Sequence, residues 1–536
     1  MTSETELGLI TRGSLVEGLE MKLSPERSIE EIKVGKFVVI EGLLHRFFSL
    51  ITNVRLDSSS PNALTNPPSM DDEVMRSVLA GTSTYATVEL RPMLTIHQNS
   101  NEPSTVKTVP PHFAQVKDAA EPDVSTIFGK EDNHTFFNIG TPIDMTTPVC
   151  LNLDKFVERS NGIFGKTGSG KTFLTRLVLA GIIKNDRAVN LIFDMHNEYG
   201  WSATTEGGEG FVKGLKQLFG DRVAIFSLDP DSTRKRGRSP DMSVYISPEQ
   251  IEIEDIFLLQ EELNLSATAI ESAFAIYKEH RTRWLSELLS WEQEDIPDIA
   301  KELGAHSGSL GALHRKLRRL KNLPFLVDSI KKAEDAIGEI IKNLERGINI
   351  VLEFGAGTQP MEYILVANMI TRRIYDRYID KTENYQSTQN PADKPKHLMI
   401  TIEEAHKFLS PYAAKQTIFG TIARELRKYS VTMLVVDQRP SGIDDEIISQ
   451  IGTRLTTQLN DEKDIQAVLT GVHDPSALRS LLSTLESKQQ VLLFGHALPM
   501  PIQIKTRTYD EEFYKDMASS GPQPEEAEKF KKEMYD

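Results

Sequence analysis

The sequence predicts an α/β fold: a parallel sheet covered by helices on both faces, preceded by a small β-rich domain and interrupted by a mostly helical insertion. Three observations predict it. From Lys155 onward, near-continuous apolar runs (GIFGKT, VNLIFDMH, INIVLEFG, HLMITIEEAH, VTMLVVDQ) alternate with helical patterns such as TFLTRLVLAGIIKN, as strands buried on both faces require. Residues 7 to 96 instead carry short β-like stretches separated by Gly, Asn, Asp, Ser and Pro clusters. Between about Pro248 and Arg346 the period is helical, in EDIFLLQEELNL, TAIESAFAIYKEHRTRWLSELLSW and GALHRKLRRLKNL.

The 536 residues and 60.2 kDa suit about three to four domains. Taken in order, residues 1–125 are expected to form a small β-domain, a barrel or a sandwich, from LGLITRGSLVEGLEMKL, VGKFVVIEG, FFSLITNVRL and TYATVELRPML, with long loops at 58–72 and 98–111. A turn-rich connector opens the first part of the core, residues 126–247; the insertion spans 248–346, the second part of the core 347–510, and a charged tail 511–536. Hydrophobic residues at 39% and charged residues at 26% exclude a disordered chain. The net charge of −16 excludes a surface that binds nucleic acid indiscriminately, so any polyanion must be met locally. A lone cysteine, Cys150, excludes an internal disulfide and a cysteine metal cluster. With neither a signal-like N-terminus nor an apolar run of membrane-spanning length, the expectation is a cytoplasmic protein without membrane contact.

The sharpest motif is Gly165-Lys166-Thr167-Gly168-Ser169-Gly170-Lys171-Thr172, a full GxxxxGK[ST] after an apolar strand and before a helical run. Its glycines let successive backbone N–H groups and a helix N-terminus face phosphate oxygens. Lys171 would neutralise the β- and γ-phosphates of ATP, and Thr172 would bind Mg²⁺ through its hydroxyl. Such a loop needs a carboxylate at a neighbouring strand end. HLMITIEEAHKFL supplies Glu403 and Glu404 there, one to hold the metal's water shell and the other to orient or deprotonate the attacking water. Paired acids at a helix start also suit its dipole.

In LIFDMHNEYG, Asp194, His196 and Glu198 follow another apolar strand and point one way if the chain stays extended. They read as a polar lining of the nucleotide site; a hydrogen-bonded turn is the alternative. Arg424 and Arg427 share a helix face, as a cation supplied to a neighbour's γ-phosphate in a ring ATPase would require. Two basic segments, from Ser232 to Arg238 and across Arg315, Lys316, Arg318, Arg319 and Lys321, are the places where an acidic chain could meet DNA.

GKTGSGKT, IFDMHNEYG, ITIEEAHKFL, ARELRKYSVTMLVVDQRPS and IGTRLTTQLND stand in the order and spacing of the HerA–FtsK superfamily of P-loop ATPases, and the chain most resembles its HerA family. The resemblance spans roughly residues 7 to 510. It implies a RecA-like motor core behind a barrel of the HAS type, assembled as a homohexameric ring that hydrolyses ATP between subunits and pulls double-stranded DNA through its pore. Partner nucleases such as NurA in end resection, or other effectors in phage defence, are further implications. By position it makes Glu404 the catalytic acid, Gln438 the γ-phosphate sensor, Arg427 the arginine finger and Arg159 a second arginine reaching the adjacent subunit; Asp194, His196 and Glu198 match a family segment, as do Thr453 and Arg454. Two departures stand out: Glu403-Glu404 where the family usually has Asp-Glu, and Gly452 where it has Asn. An assembly scaffold organising an effector and a secretion-coupling ATPase are the competing readings, the second disfavoured by the lack of membrane helices.

Overall fold

The computed structural model describes residues 6–518 except 61–64, 66, 70, 101, 133, 205–210, 258, 261–262, 328–334, 356–358, 416, 426–427, 473 and 487. Two units divide the chain. The first combines Met1–Phe156, Asn161–Val178 and Ile451–Thr508; the second combines Val157–Ser160, Leu179–Gln450 and Tyr509–Asp536.

The first unit begins with a closed antiparallel barrel. Around it run Gly18–Leu23, Glu6–Ser14, Gln115–Asp118, Phe37–Glu41, His45–Ser58 and Thr84–His97, and the ring closes where Leu19 pairs with Leu90 and Lys22 with Thr87. Alternate residues point inward, so Leu7, Ile10, Leu19, Met21, Val38, Ile40, Phe47, Ile51, Val88, Leu90 and Val116 fill the interior. The long strand His45–Ser58 bends at irregularities between Phe48 and Ser49 and between Ile51 and Asn53, which lets one strand follow the barrel's curve. Pro103–Ser104, inside the expected 98–111 loop, adds a short strand to Thr84–His97.

The rest of this unit is a second sheet. Val149–Asn152, Phe136–Pro142, Ile502–Thr506, Gln490–Gly495 and Thr453–Thr456 pair antiparallel in that order. Asn161–Phe164 then pairs parallel to Thr453–Thr456, with Phe164 opposite Thr456. Gly35 is required where the barrel meets this sheet: its φ is 88°, and a Cβ there would lie 1.9 Å from Gln503 Oε1. Lys33 pairs with Asp144 at 2.6 Å across the same junction.

The second unit is the parallel sheet that the apolar runs predict. Its order is Met242–Ser243, Val223–Ser227, Asn349–Glu353, Val189–Asp194, Leu398–Glu403 and Val431–Asp437, with every pairing parallel. Every residue of Val189–Asp194, Leu398–Glu403 and Val431–Asp437 is buried, because helical crossovers cover both faces. Among the insertion's helices are Ala267–His280, Trp284–Ser290, Ile296–Glu302 and Ser307–Leu317. Trp284 lies at their centre, fully buried, its indole N–H donating to Ile251 O at 3.1 Å. Asp255 is equally buried and holds Arg372 of the long helix Pro360–Thr388 at 2.9 Å. Residues 511–518, within the segment read as a charged tail, form the helix Glu511–Ala518, burying Phe513, Tyr514 and Met517 and pairing Asp516 with Lys184 at 2.6 Å.

Candidate nucleotide site

In the first unit, the strand Asn161–Phe164 delivers the chain into the glycine-rich loop, and the helix Lys171–Lys184 leaves it. Gly168 and Gly170 have φ of 74° and 91°, a left-handed region open to glycine at no cost. Gly165 is required for a different reason: a Cβ there would lie 1.7 Å from Thr457 Oγ1. The loop is pinned from beneath. Lys166 N donates to Gln458 O at 2.9 Å, Ser169 Oγ lies 2.6 Å from Thr457 Oγ1 and also donates to Lys166 O at 2.6 Å. Lys171 Nζ folds back onto Lys166 O at 2.9 Å, so the cation is held over the loop's own concavity. Thr167 and Gly168 are exposed at the crest, while Lys171 and Thr172 open the helix partly exposed. A cradle of backbone N–H groups at a helix N-terminus, with a lysine across it, is a polyphosphate site.

Thr453 and Arg454 lie on the strand beneath this loop, and both are spent internally. Thr453 N–H donates to Asn161 Oδ1 at 3.1 Å, and its hydroxyl accepts from Ala497 N at 3.1 Å. Arg454 is buried, donates to Val468 O and stands 5.9 Å over the Phe494 ring. Burial pulls its pKa down to about 10.

In the second unit, three carboxyl groups end three neighbouring strands. Asp194 is in register with Glu353, and Phe193 with Ile402, which sets Glu403 beside Asp194. Burial, then mutual repulsion with Asp194, pushes the Glu403 carboxyl well above the ordinary carboxylate range, and the Tyr199 hydroxyl works against that shift by donating to Oε1 at 2.7 Å. Glu403 Oε2 is buried without a hydrogen-bond partner. A desolvated acid with an open oxygen fits a cation's coordination shell, and Mg²⁺ suits its hard oxygen. Glu353 is likewise raised by burial and by Asp194, and is steadied by Thr233 Oγ1 at 2.9 Å and Arg236 Nη2 at 2.8 Å.

The extended run expected for Asp194, His196 and Glu198 does not occur. The strand ends at Asp194, and Asn197 turns the chain with φ 58°. Asp194 points back into that turn, accepting from Glu198 N at 2.7 Å, Tyr199 N at 2.8 Å and Gly200 N at 3.4 Å. His196 is exposed and Glu198 partly so; among the described residues no group of three or more His, Cys, Asp or Glu is arranged to hold a metal.

Glu404 follows Glu403 with φ 50°, an uncommon conformation for a glutamate. Its Oε1 accepts from Gln438 Nε2 at 2.9 Å, which brings two of the sequence-predicted residues into direct contact. Arg424 donates to Ala414 O at 3.2 Å and pairs with Glu446 at 3.6 Å; Arg427 lies outside the described residues. Arg159 is partly buried in the turn after the helix Leu153–Val157.

In the basic segment at 232–238, Arg234, Lys235 and Arg236 are exposed and Arg238 is partly buried. It overlaps the helix Pro230–Lys235, after which Arg236 pairs with the buried Glu353 at 2.8 Å and Arg238 donates to Ser202 Oγ at 2.9 Å, over the Trp201 ring. Arg315, Arg318, Arg319 and Lys321 are likewise exposed, at and just past the end of the helix Ser307–Leu317.

Sequence reasoning missed Tyr199, Thr457, His406 and Asp437. Each adjoins a motif it did recognise: Tyr199 follows Glu198, His406 lies two residues past Glu404, and Asp437 precedes Gln438. Thr457 had no local signal, since its tie to Ser169 spans 288 residues.

Residues 137–374 match the family described as helicase HerA, central domain. The DNA double-strand break repair helicase HerA of Saccharolobus solfataricus is 24% identical over 517 residues, covering 94% of both chains. Its namesake in Sulfolobus acidocaldarius is 22% identical over 512 residues, covering 94% of this chain and 93% of that one. Among solved structures, VirB4 of Thermoanaerobacter pseudethanolicus aligns with a TM-score of 0.45 at 15% identity, over 72% of this chain and all of the other. The chain thus combines a glycine-rich phosphate loop and an acid-tipped parallel sheet with a match to the helicase HerA central domain over residues 137–374 and similarity to HerA helicases along nearly its full length.

Proposed function

We propose that this chain is an ATP-driven translocase on double-stranded DNA, working as a homohexamer with a nuclease of the NurA kind or another effector in DNA end processing or phage defence. The observation that carries the reading is the pre-formed phosphate loop, with Lys171 Nζ poised 2.9 Å from Lys166 O, in a chain similar along 94% of its length to a double-strand break repair helicase. Lys171 and the loop amides from Gly165 to Gly170 bind the β- and γ-phosphates, with Lys166, Thr167 and Ser169 supplying backbone to the cradle. Thr172 and Glu403 would each offer an oxygen ligand to Mg²⁺, which when bound would spread the phosphate charge. Glu404 orients and deprotonates the attacking water, and Gln438 senses the γ-phosphate. His196 and Glu198 line the site's polar wall, and Asp194 holds their turn in place. Arg159, Arg424 and Arg427 are the cations offered toward a neighbouring subunit's nucleotide.

Exposed Arg315, Arg318, Arg319 and Lys321 favour the insertion as a place of phosphate contact, since in the other segment Arg236 and Arg238 already have the polar partners Glu353 and Ser202 and Arg234 pairs with Asp231. Displacement of a third strand from a triplex on linear duplex DNA tests the reading. ATP-dependent displacement that stops with a non-hydrolysable analogue is expected. Hydrolysis of ATP with no displacement at any protein concentration would overturn the motor reading.

A further inference from the structure

The catalytic carboxylate proposed above is framed by one strand end. Leu398–Glu403 and Val431–Asp437 are neighbours with Glu403 opposite Val436, so Glu404 emerges beside Asp437 and Gln438. Gln438 faces one carboxylate oxygen of Glu404. The other, Oε2, stands 3.8 Å from His406 Nε2. His406 is itself fixed twice by Asp437: its backbone N–H donates to Oδ2 at 2.7 Å, and its ring Nδ1 donates to the same oxygen at 3.0 Å. Asp437 has a fully buried carboxylate, which also accepts from Arg439 N at 2.7 Å. With Nδ1 committed to Asp437, Nε2 is the ring atom turned toward Glu404.

We propose that His406, anchored by Asp437, is a positioning residue that holds Glu404 in the one rotamer from which it can activate water. A carboxylate oxygen has two lone pairs. Gln438 donates to Oε1, and the His406 ring edge 3.8 Å from Oε2 confines that oxygen by contact and electrostatics while leaving its lone pairs open to water. Glu404 needs such a frame because its backbone is in the left-handed region, where the preceding strand does not set the side chain's direction. Asp437 gains a second role, since one carboxylate sets both the ring and the start of the helix His406–Leu409.

The proposal rests on Glu404 as the catalytic carboxylate, and amide substitutions separate the two claims. In His406→Gln the amide nitrogen falls where Nε2 stands; in His406→Asn it falls where Nδ1 stands. Turnover and nucleotide affinity are measured on the full chain with ATP and a fluorescent ATP analogue, with Glu404→Gln alongside. His406→Asn keeps the Asp437 partner and loses the reach to Glu404, so kcat falls about 100-fold, the scale expected for a displaced catalytic group, while nucleotide affinity is unchanged. His406→Gln recovers most of that loss. The reverse order, equal loss in both, or parental turnover in both overturns the positioning role and leaves Glu404 standing. Parental turnover in Glu404→Gln removes the catalytic reading and the inference with it.

Discussion

Replacing Tyr199 with Phe removes one oxygen atom from the interior and tests how Glu403 is held. Tyr199 is fully buried, and its hydroxyl donates to Glu403 Oε1 at 2.7 Å. Phenylalanine fills the same ring space, so the loss is a hydrogen bond and not a cavity. Glu403 Oε2 already lacks a partner, so the variant leaves both carboxyl oxygens of a buried acid without one. An unsatisfied buried acceptor costs about 1–3 kcal/mol. At roughly 2–4 °C per kcal/mol for a large domain, the unfolding midpoint falls by about 2–12 °C. A second effect follows from charge. Tyr199 favours the ionised form of Glu403 against burial and Asp194, so without it the proton is held more firmly and more Mg²⁺ is needed for half-maximal hydrolysis. Raising the pH removes that proton and narrows the gap. The assay is calorimetry of the apo protein with Mg²⁺ titrations of ATP turnover at two pH values, and Tyr363→Phe is the control. Tyr363 donates to the backbone oxygen of Glu403 at 3.2 Å, so its loss lowers stability and leaves the Mg²⁺ requirement alone. An unchanged midpoint and an unchanged Mg²⁺ requirement in Tyr199→Phe would refute the reasoning.

Gly165→Ala drives a methyl against Thr457 Oγ1; nucleotide affinity falls at least tenfold by equilibrium titration, and Gly165→Ala with Thr457→Ala recovers part of it. His397, near Thr432 Oγ1, has its pKa pulled down to about 4 by burial. The unfolded chain therefore takes up the proton first as pH falls below about 6.5, and stability drops by about 2 kcal/mol between pH 7 and 5; urea unfolding shows a shallower loss in His397→Gln. Reversing Arg315, Arg318, Arg319 and Lys321 to Glu weakens duplex binding and flattens its dependence on log salt concentration. A parental slope moves the phosphate contacts elsewhere.

Legibility in the sequence followed the range of the interactions. The phosphate loop could be read because its glycines, Lys171 and Thr172 act within one turn of chain. Parallel strands could be read because burial on both faces leaves continuous apolar runs such as VTMLVVD. Barrel closure could not, since the Leu19–Leu90 pairing joins distant strands without a local mark. The DxHxE segment misled for a physical reason: alternation presumes an extended chain, and Asp194 ends its strand by accepting three backbone N–H groups. Charge counting did not reveal that Arg236 pairs with Glu353, which is 117 residues away and fully buried. The frame around Glu404 escaped notice because His406 and Asp437 look unremarkable until two strand ends are set side by side.

The most direct test of the account is ATP turnover by the purified full chain, with and without linear double-stranded DNA, compared with Glu404→Gln. The account predicts hydrolysis that rises on adding duplex, and background turnover in Glu404→Gln with nucleotide binding retained. Parental turnover in Glu404→Gln, or a parent rate that duplex DNA leaves unchanged, would contradict it.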